Sequence, residues 1–333
     1  MNDVSNAMKM DKKIGPKLLM LSPTDYCNLK CKTCWRLKRS AKFNQPSFNF
    51  LKKIIKEAGE MGVETIDLTG GGEPFIRKDI LELMELVKKF GMRGTLTTNS
   101  TLIKKDDIER IVKMEWDEIN FSLDGSTPET NDYIRGKNVF EKVLTVIKQF
   151  QENKSSLKPV LRLTFTITKN NLNDIPNYIR LSKQLNIQNI NFSVLFEWSS
   201  NKEFWLNKSN KKIVNKTIEK SLSLAKELGI KTNLEEILTF GLWEHNPPKF
   251  CFAPWHMLFI NASGEAMVCC TLASLYQNKL GKVKSLNEVW YGEKMETLRK
   301  RMKRGIFFRE CKMCLPEFIQ MFNQMYEEVK NES

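Results

Sequence analysis

The sequence predicts an α/β protein: a parallel sheet built from six strand–helix units, then a smaller α+β unit. Three observations carry this reading. From Leu18 to about residue 200, strand-like apolar runs alternate with segments of 3.6-residue period. Each run ends on its carboxyl side in polar or glycine-rich residues. After Pro247-Pro248 the alternation gives way to a hairpin signal and a second group of cysteines. Six units joined by right-handed crossovers make a sheet that is either doubly wound or curled into a partial barrel. Six are fewer than the eight that close a full barrel, so an open side is expected.

Leu18–Leu21 is the first strand, and Leu51, Ile54, Ile55 and Ala58 mark the first helix face. The strand Thr65–Thr69 precedes a helix carrying Ile80, Leu83, Met84 and Val87. Gly94–Thr98 leads to Ile108, Ile111 and Val112, and Glu118–Leu123 leads to Phe140, Val143, Leu144 and Ile147. Val160–Thr168, a helix over Ile175–Leu185 and the strand Asn189–Phe196 complete the series. Residues 199–212 are polar and irregular and read as a linker, with a helix from Ile213 to Leu228 beyond it. In such sheets a ligand sits at the carboxyl ends of the strands.

Cys27, Cys31 and Cys34 fall in one short loop at the end of the first strand, spaced Cys-x3-Cys-x2-Cys. Three thiolates hold three corners of a cubane iron–sulfur cluster and leave its fourth iron open to bind and activate a small molecule. The same set is also half of a zinc site that a distant ligand would complete. One unit downstream, Gly70-Gly71-Gly72-Glu73 ends the second strand. It reads either as a tight turn or as a place where a ligand's ammonium lies against bare backbone.

Together, Cys27/Cys31/Cys34, Gly71-Gly72-Glu73 and the strand end Ser122-Leu123-Asp124 resemble the radical S-adenosylmethionine (SAM) superfamily over about residues 15–200. The resemblance implies a partial (β/α)6 TIM-like barrel and a 4Fe–4S cluster whose open iron takes the amino and carboxylate groups of SAM. An electron passed into that SAM releases a 5′-deoxyadenosyl radical. By matched position, Gly71, Gly72 and Glu73 would hold the methionine end of SAM. Ser122 and Asp124 would hold the ribose, and the backbone of Thr33 the adenine. The family commonly has an aromatic residue where this chain has Thr33. Trp35 reads as a core tryptophan. Asn99, at the end of the third strand, and Arg162, on the fifth, are further candidate SAM contacts, Arg162 for the carboxylate.

The second cysteine group is Cys251, Cys269, Cys311 and Cys314, two around a hairpin over 255–269 and two in a Cys-x2-Cys knuckle. Four thiolates suit a cubane cluster or tetrahedral zinc. Cys251-x12-Gly264-x4-Cys269 followed by Cys311-x2-Cys314 resembles the twitch domain, a truncated SPASM domain, over about 246–318. It implies one auxiliary 4Fe–4S cluster, and Cys270 is left over. The expected organisation is a radical SAM core over 15–200, a linker and helix over 201–245, and a twitch/SPASM-like iron–sulfur domain over 246–333.

With 53 Lys+Arg against 39 Asp+Glu the chain is formally +14, but the basic residues are scattered, which reads as surface rather than as a nucleic-acid stripe. The sequence lacks an apolar signal core and a bilayer-length run, so a reducing cytoplasm is expected, where eight cysteines argue for metal chemistry. The expected activity is that of a radical SAM oxidoreductase of dehydrogenase type. Its substrate would be a hydroxylated small molecule: a sugar, aminocyclitol or phosphorylated or nucleotide-linked sugar. The auxiliary cluster would accept an electron, and a flavodoxin- or ferredoxin-type donor would supply the first one. Peptide modification by crosslinking or epimerisation is the alternative, disfavoured because the cluster loop begins at Cys27 and leaves little room for a recognition domain. A zinc protein that binds nucleic acid is the alternative of another class. Glu197 and Lys169, at strand ends, are the candidate bases.

Overall fold

The computed structural model describes residues 14–38, 43–154, 156–195, 202–242, 246–274 and 278–331. Seven parallel strands follow one another: β1 Leu18–Leu21, β2 Thr65–Leu68, β3 Arg93–Thr98, β4 Glu118–Ser122, β5 Val160–Ile167, β6 Asn189–Val194 and β7 Lys231–Thr232. The first six lie where the sequence puts them; β7 has two residues, too few to show a period. The crossovers carry α1 Phe48–Glu60, α2 Ile80–Lys89, α3 Lys105–Lys113, α4 Pro128–Arg135, α5 Val139–Asn153, α6 Ile175–Gln184 and α7 Lys211–Leu228. The sequence reading missed α4, whose residues PETNDYIR have no apolar stripe.

α1 shows how these helices form. Ser47 stops the preceding extended chain, and its hydroxyl accepts the Phe50 amide at 3.2 Å, capping the first turn. Leu51, Ile54, Ile55 and Ala58 then fall on one face and are fully buried against the sheet. Each of the three larger side chains contributes about 1.5–3 kcal/mol by leaving water.

The strands have two unlike faces. In β5, Leu161, Leu163, Phe165 and Ile167 are buried under the helices, while Arg162, Thr164 and Thr166 point the other way. An apolar outer face and a polar inner one describe a partial barrel with a polar lumen rather than a doubly wound sheet, whose strands are apolar on both faces.

β8 Met257–Ile260 and β9 Glu265–Met267 form the expected hairpin. It does not make a sheet of its own. β8 runs parallel to β1 in a four-residue register, Leu18 opposite Met257 through Leu21 opposite Ile260. The order is β10-β9-β8-β1-β2-β3-β4-β5-β6-β7, with β10 (Gly281–Lys282) at the edge. As the first strand of an open barrel, β1 would expose a row of unpaired amides and carbonyls, and β8 supplies their partners. The division expected at residue 246 therefore runs through one continuous sheet.

Past β7 come α8 Leu234–Phe240, α9 Ala253–His256, α10 Cys270–Ser274, α11 Leu286–Trp290, α12 Glu293–Lys303 and α13 Pro316–Asn331. Gly292 stands between α11 and α12 and is the N-cap residue of α12. The supposed linker is anchored where it is described. Phe204 is fully buried, and its carbonyl accepts the Lys169 amide at 2.9 Å. No helix among the described residues is long and apolar enough to cross a membrane.

At the amino ends of the strands, the Asp117 carboxylate receives Lys88 Nζ at 2.5 Å, Lys158 Nζ at 2.6 Å and the Gly94 amide at 2.9 Å. Burial would raise this carboxyl, but the bonds from Lys158, Lys88 and Gly94 outweigh it and hold it below its ordinary value. Its contribution is therefore present above the carboxyl's unfolded-state value and is lost as pH falls through the lower native one. Asp117→Ala is expected to remove about 1–3 kcal/mol of stability near neutral pH. The loss should shrink in acid, as checked by denaturant unfolding of wild type and variant across pH.

Candidate active site

The carboxyl ends of β1 to β6 surround a cavity of about 300 Å³. Cys27, Cys31 and Cys34 all line it, as do Thr33, Gly71, Gly72, Glu73, Asn99 and Ser122, so most of the residues picked out by sequence converge on one space. Burial raises the Cys27 thiol and pushes Cys31 up to about 11. Such thiols ionise when a metal cation takes the proton's place.

Two loops meet tightly beneath this cavity. The Glu73 amide donates to the Tyr26 carbonyl at 2.8 Å. A Cβ on Gly72 would stand 2.0 Å from that same oxygen, and one on Gly71 would stand 2.2 Å from Asp25 Oδ1. Glycine is thus required here for contact between the loops, which adds to its expected role of baring backbone to a ligand. Glu73 is buried, and both its oxygens are engaged by the chain: Oε1 accepts Thr98 Oγ1 at 2.6 Å and the Phe75 amide at 3.1 Å, while Oε2 accepts the Asn99 amide at 2.7 Å. Burial raises its pKa and these bonds oppose the rise. Asn99 in turn reaches Asn28 Oδ1 at 3.0 Å and Cys27 Sγ at 3.7 Å.

The structure places four of the candidates, Arg162, Asp124, Trp35 and Lys169, elsewhere than the sequence suggests. Arg162 does not line the cavity; its Nη2 lies 3.1 Å from Glu118 Oε2, near the amino end of β5. The cavity's cations are instead Arg135, from the end of α4, and Arg36. Asp124 does not line it either. It is buried behind Arg135, with Oδ2 at 2.8 Å from Arg135 Nε and Oδ1 accepting the Thr166 amide at 2.7 Å, so it orients the arginine. Trp35 is half-buried on the cavity wall, not in the core. Lys169 is exposed and lines no part of the cavity, and Glu197 lies outside the described residues. Nothing in one sequence marks Arg135 among 53 basic residues. The alternation Asn191, Ser193, Leu195 could have flagged the β6 residues that complete the wall.

A second cavity of about 180 Å³ adjoins the first and shares Trp35, Thr69, Gly70 and Gly71 with it. Its other walls are Met20, Ser22, Asp25, Phe259, Asn261 and Cys270. Beyond it, Cys251, Cys269, Cys311 and Cys314 ring a small apolar cavity with Phe307, Phe318 and Phe322. Burial raises all four thiols, Cys269 to about 11. Among the described residues no three His, Cys, Asp or Glu side chains stand close enough to hold a single metal ion. Both sets of sulfurs ring a space, which suits a cluster with spread ligands. Arg36 Nε, buried at the wall of the first cavity, has no acceptor among the described residues, as expected of a wall that faces a bound group.

Comparisons with known proteins agree with this layout. Residues 21–182 match the radical SAM superfamily, and residues 251–315 match SPASM, an iron-sulfur cluster-binding domain. The Fe-coproporphyrin III synthase of Methanosarcina barkeri is 34% identical over 190 residues, 56% of this chain and 46% of that protein. A probable GTP 3′,8-cyclase of Saccharolobus islandicus is 28% identical over 172 residues, 52% of this chain and 54% of that one. The chain thus matches about half the length of these relatives. In fold it is similar to SuiB of Streptococcus suis bound to S-adenosylmethionine, with TM-score 0.69 and 19% identity over 93% of this chain and 74% of that one. The chain therefore carries a radical SAM domain followed by a SPASM iron-sulfur cluster-binding domain, and these imply SAM, a 4Fe–4S cluster that binds it and an auxiliary iron–sulfur cluster as cofactors.

Proposed function

We propose that this enzyme removes a hydrogen atom from a carbon of a small hydroxylated molecule, a sugar or aminocyclitol, seated in the second cavity. The observation that carries this is the shared wall of Trp35, Thr69, Gly70 and Gly71, which puts a second space beside the one ringed by Cys27, Cys31 and Cys34. When bound, the cluster and SAM supply a carbon radical strong enough to take hydrogen from an unactivated C–H bond. The chain's part is to hold and aim. Cys27, Cys31 and Cys34 grip the cluster, while the backbone of Gly71 and Gly72 receives the SAM ammonium and Ser122 the ribose. Arg135, locked by Asp124, takes the carboxylate role that the sequence suggested for Arg162.

Size and charge narrow the substrate. The second cavity measures about 180 Å³. That holds a sugar ring or a single side chain, whereas a whole tetrapyrrole of the kind named for the Methanosarcina relative is far larger. The second cavity's described walls carry one carboxylate, Asp25, and no cation, so they favour a neutral or amino-bearing reacting end over a phosphate. A phosphate or nucleotide handle would have to lie outside this space. Cys251, Cys269, Cys311 and Cys314 would hold an auxiliary iron–sulfur cluster, in the twitch arrangement, and that cluster would supply an electron acceptor for the substrate. Net oxidation follows when the substrate radical gives up that electron and a proton.

Three outcomes test this. Alanine at Cys27, Cys31 or Cys34 is expected to abolish 5′-deoxyadenosine formation by reduced, reconstituted protein, measured chromatographically under anaerobiosis; persistence of the nucleoside would refute the reading. Alanine at Cys311 or Cys314 should leave SAM cleavage in place yet remove product in a screen of sugars, aminocyclitols and short peptides. Arg135→Ala should weaken SAM binding by roughly 1.5–3 kcal/mol, about tenfold to a hundredfold in Kd, whereas Arg162→Ala should leave it unchanged in equilibrium binding.

A further inference from the structure

The Leu29 peptide ties the first cysteine loop to a buried cation. Its amide donates to Cys27 Sγ at 3.4 Å, and its carbonyl accepts Arg36 Nη2 at 2.9 Å. Arg36 is only 4% exposed and follows Cys34 by two residues, in the short turn of helix Trp35–Lys38. A buried guanidinium ordinarily brings its own anion with it. The chain's other enclosed arginines do: Arg77 pairs with Asp79 at 2.7 Å, Arg135 with Asp124 at 2.8 Å, and Arg299 with Glu296. Arg36 has no carboxylate partner among the described residues. Its Nη2 is engaged by Leu29, its guanidinium carbon lies 4.9 Å from the centre of the Phe43 ring, and its Nε has no acceptor. A buried charge left in that state is costly, so its compensating anion is a bound group.

Position tells which group. Arg36 lines the cavity of Cys27, Cys31 and Cys34 and takes no part in the wall of the second cavity, so it faces the cluster's space rather than the substrate's. The SAM carboxylate has Arg135. What remains is the cluster: a 4Fe–4S core on three thiolates is an anion, and an added electron makes it more negative. A fixed positive charge favours the more negative state and raises the reduction potential, and an N–H bond to a ligand sulfur acts in the same direction. We propose that Arg36 is a positioning residue that raises the potential of the SAM-binding cluster, by its own unpaired charge and by holding the Leu29 amide against Cys27. One electron passes from a flavodoxin- or ferredoxin-class donor to the cluster; Arg36 neither gains nor loses a proton in that step.

The inference rests on Cys27, Cys31 and Cys34 holding the cluster, and the test separates the two. Reconstituted holoenzyme is titrated anaerobically with dithionite and followed by electron paramagnetic resonance. The signal that changes when SAM is added belongs to the cluster with the open iron, and the auxiliary signal is the internal control. Arg36→Gln and Arg36→Met should keep the wild-type iron content and lower the first cluster's reduction equilibrium about tenfold, about 59 mV for one electron, with the auxiliary signal unmoved. Arg36→Lys, which keeps the charge, should stay close to the wild type. The neutral variants should form 5′-deoxyadenosine more slowly with dithionite and recover with titanium(III) citrate, a stronger reductant. Equal potentials in the wild type and the neutral variants overturn the proposal. So does an unchanged potential with weakened equilibrium SAM binding, which would make Arg36 a SAM ligand, and so does loss of the first cluster's iron from both neutral variants, which would make it a structural clasp. A wild type without a SAM-sensitive signal overturns the reading of the three cysteines, and the inference falls with it.

Discussion

The buried Glu73 carboxylate fastens three strand ends to one another, and the geometry of the site depends on that fastening. Its amide reaches back to Tyr26 beside the cysteine loop after β1, its own loop follows β2, and its oxygens take the Thr98 hydroxyl and Asn99 amide at the end of β3. A buried carboxylate is stable only when its lone pairs are answered, and here three donors from the chain answer them. Removing it would leave those donors unsatisfied at about 1–3 kcal/mol each, at the point where Cys27 and Asn99 meet. The glycines before it serve the same end, since any side chain there would push the cysteine loop away.

How much of this was legible depends on what a sequence period encodes. Cysteine spacing is local, so Cys27, Cys31 and Cys34 converge as read, and so does the loop at 70–73. A period of two tells which face of a strand a residue occupies, and Arg162 does share the lumen face with Thr164 and Thr166. It does not tell height. Thr166, which lines the cavity, is four residues farther along, about 13 Å at 3.3 Å per residue, and Arg162 answers Glu118 at the other end. Arg135 comes from a polar helix with no apolar stripe, and Asp124 looks like a ligand until the arginine it holds is seen. Those relations are tertiary, and no local pattern carries them.

The pairing of β8 with β1 is what relates the two thiol groups. Ser22, just past β1, donates its amide to the Ile260 carbonyl at 2.8 Å, and Asn261 follows directly. Both residues line the second cavity, so part of its wall is a strand-to-strand contact. The cysteine loop hangs from the end of β1, and Cys269 lies two residues past the end of β9, on the same sheet. The two thiol groups are therefore related to each other through one continuous hydrogen-bonded sheet.

The local backbone explains why two adjacent cysteines line different cavities. β9 ends at Met267 and α10 begins at Cys270, so the chain leaves an extended conformation for a helical one between them. In a continuing strand, residues 269 and 270 would face opposite sides of one sheet. At this junction one sulfur enters the apolar ring formed with the Cys311–Cys314 turn, while the next turns back toward the barrel mouth. Two neighbouring thiols thereby line two different cavities on opposite sides of the same short segment.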